Sequence, residues 1–255
     1  MQRKFDDFIL SQVIDKDSDD LIVLGARPAI GKSTLLLTAA KYLAIDTELP
    51  TAVFSLEMSK EQVFRRLISV TSNFPGERIF HDDLSTEEKV KIESTRDYIS
   101  SKPLYIDDTP ALDISEIKNR LQQLVKDKGV RFVLIDYLHL INASKENNRG
   151  KQLRYICQML KDATKELHIT IILASQCPRS ILSKTRIIPT VEDLSLSSED
   201  IIDNFWLLYR PSYYSIFEDE NGNDIRNLIE LHLYQGNTKV SEEKFYFDRS
   251  IPKVI

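Results

Sequence analysis

Residues 21–45 read LIVLGARPAIGKSTLLLTAAKYLAI. The apolar run Leu21 to Leu24 leads into Gly25-Ala-Arg-Pro-Ala-Ile-Gly31-Lys32-Ser33-Thr34, and an amphipathic helical stretch follows. Strand, glycine-bearing turn and helix start together are what a phosphate-binding loop requires. Backbone N–H groups turn inward toward the phosphates, and a glycine lets the chain come close. A lysine reaches the outer phosphates, and the next Ser or Thr hydroxyl holds Mg²⁺. Arg27, Pro28, Ala29, Ile30, Gly31, Lys32, Ser33 and Thr34 are therefore the candidate phosphate contacts. In strict spacing the first glycine of the pattern falls on Ala26, with Gly25 one residue early.

Outward from this loop, apolar runs of strand length alternate with stretches of helical period. That alternation predicts an α/β fold, a mostly parallel twisted sheet flanked by helices. The expected strands are Leu21–Gly25, Thr51–Glu57, Leu104–Asp107, Phe132–Asp136, Thr170–Ser175, Asn204–Tyr209, Leu228–Tyr234 and Lys244–Phe247. No helical stretch separates the last two, so they read as an antiparallel C-terminal hairpin. Ser59 with Gln62, Ser85 with Glu88 and Asp113 with Glu116 carry the spacing of helix N-terminal capping boxes, or close to it. A further helix is expected from about Lys151 to Leu167, with Leu153, Ile156, Cys157 and Leu160 on one stripe. Glu218–Asp224 reads as a surface turn around Asn221–Gly222. The polar stretches Ala143–Gly150 and Ser180–Ser198 are candidate functional loops. Residues 1–19 read as a lead-in and 20–255 as one domain.

Three further residues stand where a nucleotide site needs them. Asp136 ends FVLID, and a carboxylate at the carboxyl end of a buried parallel strand can hold Mg²⁺ beside the phosphate loop. Ser33 and Asp136 are thus the candidate metal ligands. Glu57 closes TAVFSLE, where a carboxylate can orient and polarise an attacking water. A glutamate there also suits the surface beside a helix N-terminus. Gln176 closes IILASQ, where an amide can sense the terminal phosphate or simply satisfy a strand end. Lys32, Glu57 and Gln176 form the candidate catalytic set.

Composition bounds the rest. The 255 residues carry a net charge of −5 and ordinary apolar and charged fractions, which excludes disordered and fibrous classes. The longest apolar runs are strand-sized, far short of the roughly 20 residues that span a bilayer. No small-residue cleavage site follows the N-terminus, so no signal peptide is expected. Cys157 and Cys177 form no CxxC, which points to a reduced, cytoplasmic protein. The negative balance argues against one broad nucleic-acid-coating face but leaves room for basic loops lining a channel. Lys145, Arg149, Lys151, Arg154, Lys161, Lys165, Arg179, Lys184 and Arg186 stand against only Glu146, Asp162 and Glu166 in that stretch.

The segments GARPAIGKST, FSLEMSKEQ, LYIDDTPALDISEI, FVLIDYLHLI and ILASQ occur in this order. Together they resemble the C-terminal RecA-like motor domain of the DnaB-type replicative DNA helicases, over about residues 20 to 248. The resemblance implies a RecA-like P-loop NTPase that binds ATP and Mg²⁺, with Glu57 as the catalytic base and Gln176 coupling to DNA-binding loops. It also implies a hexameric ring, as a homo-hexamer or mixed with another helicase subunit. Single-stranded DNA would thread through that ring along Ala143–Lys151 and Ser180–Ser198. The sequence departs from the family in several places. Tyr234 and Gly236 stand where a Lys-x-Arg supplies the arginine finger, and Lys239 is the nearest cation. DLSLSSEDIID lacks the usual Arg and Gly after Asp193-Leu194, and FDDFILSQVIDKDSDD replaces a glycine-rich lead-in. The phosphate loop begins so early that the family's primase-recruiting helical domain is expected to be missing. A regulatory paralogue without independent unwinding activity is the competing expectation. A small-molecule phosphotransferase is a weaker third, because no arginine-rich lid is visible.

Overall fold

The central parallel strands Leu21–Ala26, Thr51–Ser55, Phe132–Asp136 and Thr170–Gln176 bury both of their faces, and that decides the architecture. The structure is a computed structural model that describes residues 4–16, 18–81, 84–144, 146, 148–177, 188–194, 196, 200–248, 251 and 253–255. Nine strands form one sheet among these residues: β1 Leu21–Ala26, β2 Thr51–Ser55, β3 Leu104–Asp107, β4 Phe132–Asp136, β5 Thr170–Gln176, β6 Asn204–Tyr209, β7 Leu228–Gln235, β8 Thr238–Asp248 and β9 Lys253–Val254. Their order is β3-β2-β4-β5-β1-β6-β7-β8-β9, parallel from β3 to β6 and antiparallel from β6 onward.

Successive side chains on a strand point to opposite faces, so one strand feeds two cores. Leu21, Val23, Val133, Ile135, Ile171 and Leu173 enter one of them. There they meet helix α6 (Ile114–Lys128) through Ile117 and Leu121, and helix α7 (Arg149–Leu167) through Leu153, Ile156 and Leu160. Ile22, Leu24, Leu134, Ile172 and Ala174 enter the other. That core is covered by α2 (Lys32–Ala40), which continues as a wider π-type turn to Asp46, and by the short N-terminal helix α1 (Phe5–Ile9). Phe8 packs edge-on against Trp206 with ring centroids 5.0 Å apart, so the lead-in shares the core of the sheet. Full burial of each large apolar side chain contributes about 1.5–3 kcal/mol. A smaller cluster joins Leu37 of α2 to α3 (Lys60–Ser72) and α5 (Thr86–Ser100) through Leu67, Ile68, Ile92 and Ile99. Between those two helices lies the one-turn α4 (Gly76–Phe80).

The expected strands all form, β3, β4 and β6 with the expected bounds and the others with shifted ends. β2 stops at Ser55, so Glu57 lies in the bend that follows. β8 begins at Thr238 rather than Lys244, and the two-residue β9 was not expected. The Ser59 and Ser85 capping boxes are complete, with backbone and side-chain hydrogen bonds in both directions. Asp113 caps α6 through the Ser115 N–H instead, and Glu116 turns to Arg120, so that box does not close. α7 starts at Arg149, capped by Asn148, which takes the end of the stretch Ala143–Gly150 out of the loop and into helix. Glu218 and Asp224 bridge across the expected surface turn, where Gly222 has φ 79°.

Candidate functional site

The phosphate-type loop sits where the sheet's topology opens a crevice. β1 lies between β5 and β6, and the carboxyl ends of β1, β2, β4 and β5 point to the same side. Ala26 still belongs to β1, opposite Gln176, and its carbonyl accepts the Cys177 N–H at 2.9 Å. Extended backbone needs no glycine there, so alanine suffices. Gly25 is required for space instead: a Cβ on it would lie 2.6 Å from Leu194 Cδ2 and 2.7 Å from Leu207 Cδ2. The turn itself needs the second glycine, since Gly31 has φ 124°.

Lys32 opens α2 and is buried, its Nζ donating to the Arg27 carbonyl at a long 3.4 Å. Burial lowers the Lys32 pKa, while the fields of Asp136, Cys177 and Glu57 push it back up. The ammonium thus sits in a dry place with little to hold it, close to carboxylates on two neighbouring strand ends. The neighbouring Ser33 hydroxyl is hydrogen-bonded to the Asp136 carboxylate. Burial raises the Asp136 pKa, and Ser33, Lys32 and Arg66 counter it. Asp136 is held opposite Ser55 of β2, and its carbonyl accepts the Leu56 N–H at 2.8 Å. That bond begins the bend carrying Glu57, which the Ser55 hydroxyl tightens by donating to the Met58 carbonyl at 2.7 Å. Glu57 is exposed at the rim, and its charge acts on both Lys32 and Tyr137. Gln176 is half-buried at the end of β5. Lys32, Ser33, Asp136 and Glu57 therefore converge, and Gln176 ends the strand next to β1. Pro28, Ala29, Ile30 and Thr34 lie in the same turn and first helical residues, with Ile30 and Thr34 buried and Ala29 at φ 61°.

Sequence reasoning missed the aromatic wall of this site. Arg27 is 2% exposed and points into it, its guanidinium 5.4 Å from the Tyr214 ring and 5.6 Å from that of Tyr213. One guanidinium nitrogen donates to the Tyr214 hydroxyl at 3.2 Å. Beside it, Arg210, Ser212, Tyr213 and Phe247 line a cavity of about 420 Å³, with Arg210 over the Phe247 ring at 4.6 Å. Phe247 is also the side chain nearest Gly31, so the cavity adjoins the loop. The tyrosine pair following a strand end was the available signal.

Of the two candidate DNA loops, the first is described except for Lys145 and Asn147, which lie outside the described residues; Ser144 donates from both its N–H and its hydroxyl to Asp113 at 3.0 and 2.9 Å. Most of Ser180–Ser198 lies outside the described residues, apart from the turn around Val191–Leu194. At the finger position, Tyr234 is buried and Gly236 occupies the hairpin turn with φ 52°. Lys239 is paired with Glu242 at 2.7 Å.

The sequence model of the family described as DnaB-like helicase C terminal domain matches residues 12–252. The chain belongs to this family. This DnaB-like domain is 34% identical over 215 residues to the replicative DNA helicase DnaC of Bacillus subtilis, covering 83% of the chain and 47% of that protein. It is 33% identical over 214 residues to the replicative DNA helicase DnaB of Geobacillus stearothermophilus, covering 82% of the chain and 47% of the relative. The chain thus spans about half the length of the curated relatives it matches. Among solved structures, one described as an ATPase domain superposes with a TM-score of 0.82 at 25% identity, covering 93% of this chain and 84% of the other. A DnaB-like replicative helicase, solved for its interactions with primase, gives 0.82 at 25% identity over 93% of this chain and 58% of the other. The RecA-like fold expected of the DnaB-like domain is the fold these structures share.

Proposed function

We propose that this domain is an ATP-driven motor that acts on single-stranded DNA in replication. The observation that carries it is the Ser33–Asp136 pair beside an under-coordinated, buried Lys32. A hydroxyl and a carboxylate are hard oxygen donors that suit Mg²⁺, and a dry ammonium suits a phosphate oxygen. Ser33 and Asp136 would hold the metal, and Lys32 the outer phosphates of ATP. The amides from Arg27 through Thr34 would cradle the remaining phosphate oxygens. Mg²⁺, when bound, neutralises charge on the phosphates. Glu57, at the open rim, would orient a water and take its proton as the water attacks the terminal phosphorus. The bond from that phosphorus to the bridging oxygen then breaks, releasing ADP and phosphate. Gln176 reads the terminal phosphate from the strand that leads toward Ser180–Ser198. The base packs into the cavity of Arg210, Tyr213 and Phe247, where a flat aromatic ring can stack.

The relatives are named as replicative DNA helicases, which supports DNA as the track; a ring is the working form that the family resemblance implies. Residues 20–255 form the ATPase domain, preceded by a lead-in over residues 1–19. Both cysteines are buried thiols rather than disulfides, which suits the reducing cytoplasm. Among the described residues no helix is long and apolar enough to cross a membrane. A second reading is favoured by the hairpin turn: with Gly236 and Tyr234 at the finger position, a homomeric ring lacks the arginine that acts on a neighbour's nucleotide. The protein would then serve as a regulatory or mixed-ring subunit. ATP turnover with and without single-stranded DNA, run alongside a measurement of assembly size, separates the readings. DNA-stimulated turnover by ring-sized assemblies is expected of the motor. ATP binding without turnover, rescued by an authentic helicase subunit, favours the second reading. Failure to bind ATP overturns both.

A further inference from the structure

A second cluster of ligating side chains lies away from the phosphate loop, on the antiparallel strands. Glu230 and His232 are two residues apart on β7, so their side chains leave the same face. Glu242 stands directly opposite His232 on β8. One ligand atom from each of the three lies within 4.8 Å of the others. The His232 side chain is 2% exposed, with Nε2 3.2 Å from Glu230 Oε2 and Nδ1 3.3 Å from Glu242 Oε2. Although Glu242 is near, the buried Nδ1 makes no hydrogen bond. A buried ring nitrogen facing a carboxylate that it does not hydrogen-bond is an unsatisfied lone pair or N–H, which costs free energy unless something else takes it up.

We propose that Glu230, His232 and Glu242 form a binding site for a divalent transition-metal ion of the Zn²⁺ class. One imidazole and two carboxylates suit zinc or its first-row neighbours better than Mg²⁺ or Ca²⁺, which prefer all-oxygen shells. Two carboxylate charges neutralise the ion, and water completes the shell on the exposed side of Glu242. Lys239, 2.7 Å from Glu242, and Lys244, 3.6 Å from Glu230 and 3.7 Å from Glu242, are the competing cations. Both are long side chains at the surface that can swing into water when the ion enters. The ligand pair i and i+2 with a cross-strand partner ties β7 to β8 through side chains as well as backbone.

The test uses the full chain, stripped with chelator and kept in excess Mg²⁺ so that hard-oxygen sites are occupied. Zn²⁺ is titrated by calorimetry and Co²⁺ by visible absorption. One ion per chain, ligand-field bands from bound Co²⁺ and a rise in thermal midpoint with Zn²⁺ are expected. Glu242→Gln, at the half-exposed ligand, should fold normally and weaken Zn²⁺ binding at least about tenfold, because even partners of a ligand cost that much when removed. Lys239→Ala should tighten it by removing a competitor. Absence of stoichiometric binding, or Glu242→Gln binding as tightly as the wild type, shows the cluster to be an ion-pair network only and overturns the site.

Discussion

The parallel and antiparallel parts of the sheet obey different rules. β1, β2 and β4 are buried at every position, and β5 at all but its last residue. In β8, only Phe245 among eleven residues is buried. Packing on both faces pins the carboxyl ends of the parallel strands, and those ends carry Lys32, Ser33, Asp136 and Glu57. The outer strand β8 is mostly exposed, so Glu242 and Lys244 stand there without disturbing the core, although His232, opposite Glu242 on β7, is buried. The candidate phosphate site thus lies at the ends of the buried parallel strands, and the His232 cluster lies on the antiparallel ones.

The contrast can be broken at its strongest point first. Lys32→Ala should eliminate measurable ATP binding, because Arg27, the other cation of the turn, is engaged with Tyr213 and Tyr214. Its thermal midpoint should hold or rise, since the burial that lowers the Lys32 pKa disfavours the charged form in the absence of nucleotide. Equilibrium binding of a fluorescent ATP analogue, with a melting curve, checks both, and unchanged affinity would remove the site assignment. Glu57→Gln should bind ATP normally and hydrolyse it about 10²–10⁴-fold more slowly, the usual weight of a general base. Single-turnover phosphate release measures this, and full turnover would mean that the base lies elsewhere.

The same glycine replacement should fail for different reasons in the two regions. Gly25→Ala forces Leu194 and Leu207 to move within a packed core and should cost about 1–3 kcal/mol. Gly236→Ala meets open space but a positive φ, and should cost about 1 kcal/mol. Gly236→Asn should recover most of that, because asparagine tolerates the left-handed region, whereas Gly25→Asn should be worse than Gly25→Ala. Urea midpoints for the four variants decide it, and equal losses at both sites would erase the distinction.

The smallest effect concerns the clamp between helix α6 and the first candidate DNA loop. Hydrogen bonds from Ser115 and Ser144 hold the Asp113 carboxyl well below the usual carboxylate range. A folded pKa depressed below the unfolded value of 3.8 gives stability that is complete above that value and is lost as pH falls through the folded pKa. Asp113→Ala should cost about 1 kcal/mol at neutral pH, a typical cap value. The gap to wild type should shrink in acid below about pH 4. A gap independent of pH would place the effect in packing instead.

How much was legible in the sequence follows from the range over which each signal acts. The alternation of strand-length apolar runs with helical period, the Gly31-Lys32-Ser33 turn and the Ser59 and Ser85 caps are all local. Each is set by residues within one or two turns, and each appears where expected. Asp113 misled because its hydroxyl neighbour Ser115 competes with Glu116, a choice of partner that spacing cannot express. The tyrosine pair hinted at an aromatic wall, but its partner did not, because Arg27 and Tyr214 are 187 residues apart in sequence and meet only when β6 docks beside β1.

The sequence by itself determined the eight longer strands, the capped helices and the turn at Gly31, because backbone dihedrals and hydrophobic period are dictated by near neighbours. Tertiary structure alone decided why Gly25 is a glycine, what surrounds Arg27 and how Glu230, His232 and Glu242 come to share one face. Those are matters of which distant surfaces touch, and contact between strands is settled by the packing of the whole sheet.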